Sequence, residues 1–167
     1  YQNIIGPDMG FNHAIPHIVE RLYFKKDELS LFQIYGHAQT RAFCYIEDAV
    51  IGTIKSMEKE TDNQIFHIGN DQEVTIEELT MFIGELMDYS GKYEAAETYP
   101  GSVERRCPDI SKSKSILGYS PRFDWKRAVE LTVEWYKKFY VDGNKPIDGG
   151  FIPPEDTLPW FKGFLIF

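Results

Sequence analysis

The sequence predicts an α/β chain, mostly helical with short strands, and three observations carry that prediction. Apolar residues recur at helical spacing in several stretches, and short β-prone runs stand between them, each stopped by glycine or a polar turn. The composition is that of a folded chain, with 43% hydrophobic and 26% charged residues among 167, which argues against disorder, collagen-like repeats and coiled coil.

Residues 1–7, Tyr-Gln-Asn-Ile-Ile-Gly-Pro, read as the end of a strand entering a loop, the opening expected of a piece of a longer chain. Past the Gly6-Pro7-Asp8-Met9-Gly10 turn, Ile15, Ile18, Val19, Leu22 and Tyr23 predict a helix from about 14 to 24, with Pro16 tolerated in its first turn. Leu31 to Tyr35 and Thr40 to Ile46 read as two strands around a polar loop. Glu47 and Asp48 then open a helix that ends near Glu60, the acids standing where the helix dipole favours negative charge.

Gln64 to Ile68 reads as a strand closed by Gly69-Asn70. Thr75 and Glu78 fit a capping box ahead of Leu79, Phe82, Ile83, Leu86 and Met87. Lys92 to Thr98 is a further strand, Ser111 to Leu117 a short helix closed by Gly118, and Asp124 caps a last helix with Trp125, Val129, Thr132, Tyr136 and Phe139 on one stripe. The chain divides into residues 1–142 and a tail, 143–167, rich in Pro, Gly and aromatics, that docks or stays disordered.

The charge balance of 18 Lys+Arg against 26 Asp+Glu gives −8, so no phosphate-backbone attraction and no nucleic-acid partner are expected. No apolar run approaches the roughly 18 residues needed to span a bilayer, and Cys44 and Cys107 sit in no CxxC or ligand cluster. The reading is a cytoplasmic protein with reduced thiols. His13 and His17 stand at i, i+4 but have no third ligand at matching spacing, so no metal site is expected.

No phosphate-cradling glycine loop and no Tyr-x-x-x-Lys pair occurs, and no catalytic residue is assigned within the chain. Two arginine placements stand out instead. Arg41 lies at a loop-to-strand junction, and Arg105-Arg106 precede a helix, positions from which guanidinium forks can meet a small anion or make ordinary surface ion pairs.

Asn3-Ile4-Ile5-Gly6-Pro7, Phe32-Gln33-Ile34-Tyr35-Gly36, Gln39-Thr40-Arg41-Ala42-Phe43-Cys44-Tyr45-Ile46-Glu47-Asp48, Ile68-Gly69-Asn70 and Arg106-Cys107-Pro108-Asp109 occur in this order. Together they resemble the C-terminal, substrate-binding half of the extended short-chain dehydrogenases/reductases, the NAD-dependent nucleotide-sugar epimerases, dehydratases and decarboxylases. The resemblance implies the C-terminal portion of an extended Rossmann-type, NAD(P)-binding fold. It also implies that NAD is held mainly by an N-terminal Rossmann half carrying the glycine loop and the Tyr-x-x-x-Lys pair, with which residues 1–142 pair.

By the same resemblance Tyr1 lies beside the nicotinamide and Asn3 contacts the sugar or diphosphate. Gln33 and Tyr35 border the base, for which uridine or deoxythymidine is expected, Arg41 grips the diphosphate, and Arg106 reaches the phosphate or ribose. Arg105 and Arg106 are not separated at this level. A nucleotide-diphosphate sugar is the implied substrate and a homodimer the implied assembly of the whole protein. The chain by itself is expected to be inactive, and the other reading is a non-catalytic nucleotide-sugar-binding or interaction module. If part of a larger fold is absent, the faces of Leu79, Phe82, Ile83 and Leu86, and of Trp125, Val129 and Tyr136, are expected to lack cover.

Overall fold

A computed structural model describes residues 1–25, 31–58, 63–98 and 100–141. The tail expected to dock or to stay disordered, 143–167, lies outside the described residues. Five helices and seven short strands follow one another among them: β1 Ile4–Ile5, α1 Ala14–Lys25, β2 Leu31–Tyr35, β3 Thr40–Ala42, β4 Cys44–Tyr45, α2 Ile46–Glu58, β5 Glu73–Thr75, α3 Ile76–Leu86, β6 Lys92–Ala96, β7 Arg105–Arg106, α4 Ser111–Leu117 and α5 Trp125–Val141. The α/β, mostly helical reading holds. No described helix is long and apolar enough to cross a membrane.

The main core forms where three amphipathic helices meet. Ile15, Ile18, Val19 and Leu22 of α1, Ile76, Leu79 and Ile83 of α3, and Ala128, Val129, Val133 and Tyr136 of α5 are all buried, because each set lies on one side of a 3.6-residue repeat. The three helices pack on one another. The expectation of uncovered faces on α3 and α5 is therefore corrected: Leu79, Ile83, Val129 and Tyr136 are fully enclosed, and Phe82 meets Trp125 edge to face at 5.4 Å. The exposed apolar stripe lies on α2 instead, at Val50, Ile54 and Met57, the last 80% exposed.

A second, smaller core gathers Cys44, Ala49, Ile68, Ile110, Leu117 and Tyr119 beneath α2 and α4. The Tyr119 hydroxyl lies 3.5 Å from the Cys44 sulfur and donates to the Gly69 carbonyl at 2.8 Å. Burial pushes both the thiol and the phenol up from their ordinary pKa values, so Cys44 is an inert core thiol.

The strands form three small sheets: β1 with β4 in parallel, β2 with β6 in parallel, and the order β5-β3-β7, antiparallel on one side of β3 and parallel on the other. Two predicted strands change on folding. Thr40 to Ile46 is not continuous, because the chain leaves the β3 ladder and joins β1 across Phe43. Asn3 fastens that crossing: its Nδ2 donates to the Ala42 carbonyl at 2.9 Å, and its own carbonyl accepts from the Cys44 N–H at 3.1 Å. Asn3 has φ 42°, in the left-handed region that asparagine tolerates better than most residues.

Gln64 to Ile68, the other predicted strand, has no ladder. Its carbonyls are taken by side chains and a lone amide: Lys112 Nζ donates to Ile65, Ser113 Oγ to His67, and the Gln2 N–H to Ile68. These three carbonyls are satisfied without sheet pairing.

The capping box is formed as predicted. Thr75 Oγ1 accepts from the Glu78 N–H at 3.0 Å, and a Glu78 carboxylate oxygen accepts from the Thr75 N–H at 2.9 Å. The Thr75 backbone N–H, followed by its hydroxyl, lowers the Glu78 pKa. A carboxyl whose folded pKa is lowered stabilises above its unfolded value and loses that effect as pH falls through the folded value. Thr75→Ala is expected to cost about 1 kcal/mol, read as a lower urea midpoint with unchanged slope; an unmoved midpoint refutes the cap's role.

Candidate functional site

The site begins at the middle strand of the mixed sheet. Parallel pairing sets Arg41 of β3 opposite Arg106 of β7, and antiparallel pairing sets Arg41 opposite Val74. Arg41 is 3% exposed. Its Nη1 donates to the Thr40 carbonyl at 2.8 Å and the Glu104 carbonyl at 3.3 Å, and its Nη2 donates to Gln39 Oε1 at 3.1 Å. All three acceptors are neutral. Among the described residues no carboxylate forms a salt bridge with Arg41. Burial, with the Arg106 guanidinium adding to it, lowers the Arg41 pKa.

Arg105 and Arg106 part company. Arg105 turns to Glu73, with Nη2 at 2.8 Å and Nε at 3.1 Å from one carboxylate oxygen, and makes an exposed ion pair of small energetic weight. Arg106 lines a cavity of about 250 Å³ with Tyr1, Asn3, His13 and Phe43. Strand alternation decides which neighbour faces inward, and it could be read only once the register with β3 was known.

Gln33 and Tyr35 belong to a second cavity, of about 60 Å³, formed by α1, β2 and α3. The Tyr35 hydroxyl donates to Gln33 Oε1 at 2.9 Å. Arg21, on which the sequence carries no signal beyond a helical surface arginine, donates from Nη2 to the Gln33 carbonyl at 2.8 Å and places its guanidinium 4.2 Å from the Phe32 ring centroid and 5.5 Å from that of Tyr35. His17 lines the same cavity, and burial, with Arg21 adding to it, lowers its pKa to about 4, so its imidazole is neutral near pH 7.

Ala14 borders both cavities, which therefore adjoin across the first turn of α1. Asn3 and Arg106 share the larger one, Gln33 and Tyr35 the smaller, and Arg41 borders neither. Tyr1, 72% exposed, hydrogen-bonds through its hydroxyl to Thr53 Oγ1 at 2.8 Å. His13 and His17 face different cavities rather than a common ligand, and no cluster of three metal-ligating side chains occurs among the described residues.

The short-stranded α/β frame sets buried Arg41 in register with half-buried Arg106, which lines the larger cavity, and comparison with known proteins places this frame among the Rossmann-type epimerases and dehydratases. UDP-N-acetyl-alpha-D-glucosaminuronate decarboxylase of Bacillus cytotoxicus is 31% identical over 152 residues, 85% of this chain and 46% of that protein. The structure of UDP-glucose 4-epimerase from Thermotoga maritima with UDP-glucose superposes with a TM-score of 0.72 at 26% identity, over 84% of this chain and 45% of that one. UDP-glucuronic acid 4-epimerase from Bacillus cereus, in complex with UDP-glucuronic acid and NAD, has a TM-score of 0.71 at 24% identity over 84% of this chain and 44% of that one, a likeness of fold. No protein-family model matches the chain. The chain belongs to the extended short-chain dehydrogenase/reductase family of nucleotide-sugar decarboxylases, epimerases and dehydratases, and it spans about half the length of the relatives it matches.

Proposed function

We propose that residues 1–142 are the substrate-binding portion of an NAD-dependent nucleotide-sugar epimerase, dehydratase or decarboxylase, holding the nucleotide diphosphate so that the sugar reaches the nicotinamide. One observation carries this reading: the buried Arg41 guanidinium, paired in register with Arg106, is held by neutral acceptors and by no carboxylate among the described residues. Burying a cation without an anion is costly. A diphosphate supplies about two negative charges on pairs of oxygens that a planar guanidinium fork can meet bidentately.

Asn3 and Arg106 then meet the sugar-diphosphate part of the ligand in the larger cavity, while Gln33 and Tyr35 border the base, beside Arg21. At about 250 Å³ the larger cavity lies below the roughly 300–1,000 Å³ that encloses a whole ligand of this size, as suits residues that supply one wall of a site. NAD, when bound, supplies reversible acceptance of a hydride. Of the described residues the exposed Tyr1 ring, beside the Asn3 cavity, fits one edge of that cofactor. On this reading the glycine loop and the Tyr-x-x-x-Lys base come from the N-terminal Rossmann half that the resemblance implies. Remote binding energy on the diphosphate would be converted into orientation of the sugar. The whole protein is proposed to act as a cytoplasmic homodimer.

Calorimetric titration of the chain tests the grip. UDP is expected to bind at least tenfold more tightly than uridine, and NAD more weakly than UDP. Equal affinity for UDP and uridine refutes the diphosphate role, and NAD binding tighter than UDP refutes the assignment of halves.

A further inference from the structure

We infer that Gln39 is a positioning residue that holds the Arg41 guanidinium with a neutral amide, so that the charge of Arg41 stays available to an anionic ligand. The inference rests on the diphosphate-binding reading above and adds to it a residue that does not itself line either cavity.

Gln39 is buried, and both polar atoms of its side-chain amide are hydrogen-bonded. Its Oε1 accepts from Arg41 Nη2 at 3.1 Å and from Ser102 Oγ at 3.0 Å, and its Nε2 donates to Thr98 Oγ1 at 3.1 Å. Its backbone N–H donates to the Gly36 carbonyl and its carbonyl accepts from the Ile76 N–H at the start of α3, both at 2.8 Å. One side chain thereby ties Arg41 to the segment leading to β7, whose second residue is Arg106. The fit is close: Gly36 has φ +66°, and a Cβ there would lie 2.8 Å from the Gln39 amide carbon. The turn before β3 is shaped around this amide.

The choice of amide over acid decides the electrostatics. A glutamate at this position has the same length and would accept the same bonds from Arg41 and Ser102, while the Thr98 hydroxyl can rotate to donate to it. It would also form a buried ion pair with Arg41 and cancel the field that an incoming diphosphate meets. A neutral acceptor fixes the direction of the fork and leaves its charge uncompensated.

The test uses UDP as the probe on the 167-residue chain, with Gln39→Glu, Gln39→Leu and Arg41→Ala. Gln39→Glu is expected to melt at or above the parent's temperature, to bind UDP at least tenfold more weakly and to show a shallower dependence of that affinity on salt. Gln39→Leu is expected to weaken UDP binding while also melting lower, because Arg41 Nη2, Ser102 and Thr98 lose their shared partner. A purely structural Gln39 predicts that Gln39→Glu keeps both stability and affinity. Weaker binding by Arg41→Ala together with parent-like binding and salt dependence by Gln39→Glu overturns the role of Gln39 alone. Parent-like binding by Arg41→Ala, or no UDP binding by the parent, overturns the diphosphate reading and this inference with it.

Discussion

Asp48→Ala is expected to lower stability by about 3 kcal/mol, from the cost of removing an ionised acceptor from buried donors, which corresponds to a fall of about 6–12 °C in melting temperature for a chain of this size. Asp48 is 1% exposed. One carboxylate oxygen accepts the N–H groups of Arg122 and Phe123 at 3.0 and 3.1 Å, and the other accepts Arg122 Nε at 3.2 Å. The residue thus stitches the first turn of α2 to the segment that leads into α5. Arg122 is a different matter, since its side chain is 54% exposed and also reaches Glu47. Arg122→Ala keeps both backbone donors paired with Asp48 and is expected to cost under about 1 kcal/mol. Thermal melts of the two variants separate the contributions: equal losses would mean that the ion pair, not the backbone bonds, does the joining.

Local periodicity and capping were legible in the sequence because they depend on neighbours within a few turns. The stripes of α1, α3 and α5, the Thr75–Glu78 box and the left-handed Gly118 that ends α4, at φ 63°, all lie in that range. Long-range pairing was not. Nothing in Thr40 to Ile46 tells that Thr40–Ala42 pairs with β5 and β7, that Cys44 and Tyr45 pair with β1, and that Ile46 already opens α2. Nothing in Gln64 to Ile68 tells that α4 side chains take its carbonyls.

Asp48 was placed correctly at a helix N-terminus, but its partners stand more than 70 residues further along the chain, where no spacing rule reaches. The arginines show the same limit. Arg105 and Arg106 are adjacent, and only the β3 register separates the exposed partner of Glu73 from the one that faces the cavity. Arg21 became visible as a lining residue of the smaller cavity only through the fold, which stacks it on Phe32. That no carboxylate among the described residues pairs with Arg41 is likewise a property of space, not of spacing, and the anchoring role proposed for Arg41 rests on it.

Arg41→Ala is expected to weaken UDP binding by about 1.5–3 kcal/mol, the range for hydrogen bonds to charged groups, or about 10–150-fold in dissociation constant. The guanidinium is oriented before any ligand arrives, since Thr40, Glu104 and Gln39 already accept three of its bonds, so little side-chain entropy is lost on binding. Arg41→Lys keeps the charge but not the fork. A single ammonium group cannot reach all three acceptors and present a planar edge at once, and an intermediate loss is expected. The truncation also leaves Gln39 Oε1 with one donor fewer in a buried place, which lowers the melting temperature by its own mechanism. Affinity and stability must therefore be measured together. A lower melting temperature with UDP affinity unchanged within twofold would make Arg41 a structural residue of the β3–β7 junction and remove it from the site. Loss of affinity that vanishes with uridine, which has no diphosphate, would place the contact where the charge argument puts it.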